Sequence, residues 1–105
     1  LSSYHDVNDI NAARDEGITN EKMTIRNALD QQKSTNAQLD ELQEEIKPFI
    51  RTKKAVPSAL SKKVAAKRDR LKLLSETIAN SEAEIARITK QAESDKARLL
   101  LLQAK

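Results

Sequence analysis

The chain has 105 residues, a third of them charged, with one glycine, two prolines, no cysteine and a net charge of +3. Without cysteine there is no disulfide framework and no thiolate metal site. So few glycines and prolines also argue against a β-sheet, whose turns depend on them.

What remains is a composition rich in Ala, Glu, Lys, Leu, Arg and Gln, which favours long helices. Disorder is the competing outcome for so polar a chain, and apolar periodicity decides against it. From Tyr4, alternating steps of three and four reach Val7, Asn11, Arg14, Ile18, Glu21, Ile25, Ala28, Gln32, Thr35, Leu39, Leu42, Ile46 and Phe49. Nine of these fourteen positions are apolar, a heptad seam of moderate strength. The spacing predicts a first helix over about 3–47. Gly17 interrupts the pattern and costs about 1 kcal/mol against alanine in a helix interior. Two outcomes follow: a continuous helix with a soft point, or a break after which Thr19 caps a new helix, with Ile18 and Met23 as a hydrophobic staple.

Pro48 lacks the amide hydrogen that a helix interior needs, so the first helix is expected to end or kink near Ile46. A connector over about 48–56 follows. Pro57 suits the first turn of a second helix, expected over about 57–104.

The second helix carries the stronger seam. Leu60, Val64, Lys67, Leu71, Leu74, Ile78, Ser81, Ile85, Ile88, Ala92, Asp95, Leu99 and Leu102 follow the same stepping, and ten of the thirteen are apolar. Lys67, Ser81 and Asp95 are the exceptions, all at d positions. Ile10, Met23, Leu29, Leu73, Leu100 and Leu101 fall off the seams.

Two helices joined by a short connector become antiparallel neighbours. The expected fold class is therefore all-α: a single long two-helix antiparallel coiled-coil hairpin. Dimerisation into a four-helix bundle is the alternative. Each helix would be about 60–70 Å long at 1.5 Å per residue. Placing Ile46 opposite Leu60 makes facing positions sum to 106. In that register nearly every polar seam residue faces an apolar one. Asn11 opposite Asp95 is the exception, and Arg14, one layer away, is expected to reach Asp95 in a partly buried ion pair that fixes register. Asp40, Glu41, Glu44 and Glu45 fall opposite Lys62, Lys63, Lys67 and Arg68, which favours the hairpin over a parallel homodimer.

Charge is unevenly placed. Lys47, Arg51, Lys53, Lys54, Lys62, Lys63, Lys67, Arg68, Arg70 and Lys72 stand against Asp69 alone, giving residues 47–72 a net charge of +9. This basic tip is a candidate contact for a polyanion or an acidic partner. Phe49 is the one aromatic side chain there, so any nucleic-acid contact would be led by phosphates. Tyr4, Leu99, Leu100, Leu101 and Leu102 form the second candidate, a partner-docking end.

Catalytic chemistry is poorly supplied. His5 is the only histidine, there is no glycine-rich phosphate loop, and no metal or cofactor is expected. The chain reads as a non-enzymatic piece of a larger protein. Its expected role is structural: to space, dock or oligomerise parts of that protein, with a protein partner or a second copy first in order. Nucleic acid at the basic tip is the alternative. A membrane-active segment of a toxin or secreted effector comes third. No apolar run approaches the roughly 20 residues that span a bilayer, and no signal peptide is visible, so localisation is open.

Overall fold

The computed structural model describes residues 6–104, which form two helices, α1 (Val7–Arg51) and α2 (Ser58–Gln103), with no strand among them. They pair as an antiparallel coiled-coil hairpin. Every seam position from Val7 to Phe49 and from Leu60 to Leu99 is buried or half-buried, including the polar Asn11, Arg14, Gln32 and Asp95. The heptad period thus selects the contact face residue by residue. The chain packs as two compact units, Arg26–Ile78 and, beside it in sequence, 6–25 with 79–104.

In the unit Arg26–Ile78 the withdrawn helical positions are a and d alone, a narrow coiled-coil stripe. Its buried residues are Ala28, Thr35, Val64 and Leu74. Thr35 is tolerated there because its hydroxyl donates to the Gln31 carbonyl at 2.7 Å, within its own helix. The Gln32 side-chain amide donates to Ser75 Oγ across the helices at 3.1 Å. Those two positions sum to 107, next to the expected 106.

The first helix does not end at Ile46. It runs through Pro48 to Arg51. Proline removes one intrahelical bond, and one turn from the end that loss is made good. Phe49 stays half-buried on the seam, and the terminus closes in a Schellman motif. The Lys54 amide donates to Phe49 O at 2.9 Å, and the Lys53 amide to Ile50 O at 3.1 Å. Lys53 takes the left-handed conformation this motif needs, with φ 56°. The connector is accordingly shorter than expected, Thr52–Pro57. Pro57 sits just before α2 and its carbonyl accepts from the Leu60 and Ser61 amides at 3.0 and 3.2 Å.

The unit of 6–25 and 79–104 packs more broadly. Helix α1 opens with a reciprocal cap. The Asp9 amide donates to Asp6 Oδ1 at 3.0 Å, and the Asp6 amide to Asp9 Oδ2 at 3.3 Å, satisfying two otherwise orphaned donors. Among the described residues the helix starts at Val7, and the expected start near residue 3 lies outside them. It then runs unbroken through Gly17. A β-carbon at Gly17 would lie 3.1 Å from Ile88 Cδ1, so the missing side chain is where Ile88 sits rather than a break. Ile10, expected off the seam, is instead the most buried large side chain, 2% exposed. Ile10 and Gly17 share the g position, seven residues apart, and the close approach at Gly17 draws that row into the interface.

Candidate functional site

The ten cations of the basic tip all belong to the unit Arg26–Ile78, and the structure sorts them by partner. Lys47 is bound to Glu44 on its own helix at 2.5 Å. The Arg70 guanidinium donates to the Gln31 side-chain oxygen across the hairpin. Lys67 is half-buried on the seam, where its four-carbon stem covers apolar surface while the ammonium reaches out. It borders two open grooves. One, of about 410 Å³, is lined by Asp30, Gln31, Ser34, Thr35, Gln38, Lys67 and Arg70. The other, of about 370 Å³, brings Glu41 and Glu45 together with Lys63 and Lys67.

The acidic run of α1 therefore meets part of the basic run of α2, as the register requires. Among the described residues no ion pair joins the two helices; the four present, Arg14–Asp15, Lys47–Glu44, Arg87–Glu84 and Lys96–Glu93, each lie within one helix. The charges around the second groove act through proximity and not through closed pairs. Among the described residues Arg51, Lys53, Lys54, Lys62, Arg68 and Lys72 are exposed and have no acidic partner.

Around Asn11 and Asp95 the expected ion pair is replaced. The Arg14 side chain donates to its neighbour Asp15 at 3.0 Å, and Asp95 accepts from Gln91 one turn away at 2.9 Å. Each charge finds a partner on its own helix without crossing the interface. Asn11 Oδ1 is left buried with no hydrogen-bond partner among the described residues. Beside it, Ile10, Ala13, Arg14, Gly17, Arg87, Ile88, Gln91, Ala92 and Asp95 line an open groove of about 200 Å³. Arg87 lines this groove while its guanidinium donates to Glu84 on its own helix at 3.0 Å, and those hydrogen bonds lower the Glu84 carboxyl from its ordinary pKa.

At the candidate docking end Leu99 closes the seam, half-buried, while Leu100, Leu101 and Leu102 are 56%, 68% and 59% exposed. Leu102, expected on the seam, is exposed two residues before the last described one, and Tyr4, its expected opposite, falls outside the described residues. No described helix is long and apolar enough to cross a membrane. Compared with protein-family models, with curated proteins and with solved structures, the chain has no significant match in any of the three.

Proposed function

We propose that the chain is a structural hairpin that makes protein contacts, spacing, docking or oligomerising parts of a larger protein, and that it has no catalytic role. The observation that supports this reading most directly is the run Leu100–Leu101–Leu102. The coiled-coil seam is spent by Leu99, yet three leucines continue beyond it into solvent. Contiguous exposed apolar surface marks contact sites, and leucines on successive positions of one helix cannot all be covered by one neighbouring helix.

Sedimentation across a range of concentrations tests it, with the L100E/L101E double variant alongside. The expected result is a mass above the 11.8 kDa monomer that grows with concentration and is lost in the variant while helicity is kept. A monomer at every concentration, identical in the two proteins, would remove self-association through this end.

A further inference from the structure

We propose that the basic tip of the unit Arg26–Ile78 is a docking surface for the sugar-phosphate backbone of a nucleic acid. The support is geometric as well as compositional. Of the cations there, those at the g positions of α2, Lys63 and Arg70, face the acidic and amide side chains of α1. Lys62, Arg68 and Lys72 occupy f, e and b positions, clear of the groove that holds Glu41 and Glu45. Arg51, Lys53 and Lys54 close the turn. These six are exposed and unpaired among the described residues. Lys62 to Lys72 covers about 15 Å of helix, a length of duplex that carries about nine phosphates.

Other polyanions fit less well. An interfacial membrane helix needs an apolar face. Here Leu60, Val64, Leu71 and Leu74 are all turned into the seam, and the large apolar side chains left exposed in this unit are Leu29, Ile50 and Leu73, not consecutive in the sequence. A specific protein interface is centred on buried aromatic or aliphatic anchors, and Phe49, the one aromatic group near the tip, is half-buried on the hairpin's own seam. Its position also keeps it from stacking on bases, so binding is led by phosphates and indifferent to sequence.

The test uses the full chain, a labelled mixed-sequence duplex of about 20 base pairs as DNA and as RNA, and fluorescence anisotropy from about 50 to 300 mM salt. Five or six phosphate contacts give a slope of log K against log salt of about −4.5 to −5.5 on DNA. K53Q/K54Q/K62Q is expected to weaken binding at least about ten-fold at the lowest salt and flatten the slope by about 2.7. A second tip variant, R68Q/K72Q, should flatten it by about 1.8. K22Q/K90Q/R98Q, with the same charge change in the other unit, should cost less than about three-fold. All substitute exposed side chains, and circular dichroism verifies that each variant keeps its helices. Absence of binding at the lowest salt overturns the proposal. So do equal losses from tip and off-tip variants, or tighter binding to phosphatidylserine vesicles or polyglutamate than to either duplex.

Discussion

Among the described residues Lys53 carries the sharpest backbone demand. Its φ of 56° places a branched-off side chain in the left-handed region, which costs about 1–2 kcal/mol for a residue with a β-carbon. Glycine adopts that conformation freely but loses more entropy on folding. Lys53→Gly is therefore expected to stabilise the hairpin by about 0.5–1 kcal/mol net, seen as a rise of a few degrees in Tm. An unchanged or lower Tm would mean that the Schellman closure does not hold in solution. Asn11 poses the opposite problem, a buried oxygen with no partner. Replacing it with leucine removes the desolvated acceptor and fills an a position with apolar volume. Asp95 keeps its bond from Gln91, so nothing is orphaned in exchange. Asn11→Leu is expected to gain about 1–3 kcal/mol in urea denaturation. A loss there would show that Asn11 is hydrogen-bonded in solution.

At the scale of elements, helix α1 depends on what happens at Gly17. Alanine there would gain about 0.5–1 kcal/mol of helix propensity, against a contact of 3.1 Å with Ile88 Cδ1. That atom is the far end of a flexible, half-buried side chain and can shift by a few tenths of an ångström. Gly17→Ala is thus expected to raise Tm slightly, whereas Gly17→Leu should lower it by pushing Ile88 out of the seam; melting curves of the pair decide this. The same site explains which parts of the fold were legible in the sequence. The seams were, because a 3.5-residue period in the side chains maps onto one face regardless of context. Ile10 was not, because its burial follows from the close approach at Gly17, which is a property of two helices and not of one. The end of α1 was misplaced because Pro48 forbids one hydrogen bond locally, while Phe49 and the turn at Lys53 hold the last residues in place. Arg14 was assigned to Asp95 across the interface, where Asp15 lay nearer. Within the basic tip, total charge could be read directly, but the division into cations that face acidic side chains and cations that do not needed the groove that joins Glu41 and Glu45 to Lys63 and Lys67.

Among the described residues few apolar side chains are buried, Ile10, Ala28, Val64, Leu74 and Ala92, so the order in which the hairpin's contacts form matters for how it folds. Val64 is expected to face Leu42, about 20 residues away in sequence, whereas Ile10 meets α2 about 85 residues away. Loop-closure entropy rises by about 0.6 kcal/mol per doubling of length, so the second contact costs about 1.2 kcal/mol more to close than the first. Contacts of short sequence separation then form early, and the unit Arg26–Ile78 nucleates the hairpin. Val64→Ala removes two methyl groups, about 1.6 kcal/mol of burial, and most of that loss is expected as slower folding. Ile10→Ala costs about 2–4 kcal/mol and is expected to act almost wholly on the unfolding rate, because its contacts come after the transition state. Stopped-flow chevrons of the two variants separate these cases. A slowed folding limb for Ile10→Ala, with the Val64→Ala folding limb unchanged, would place the nucleus in the unit of 6–25 and 79–104 and reverse the order.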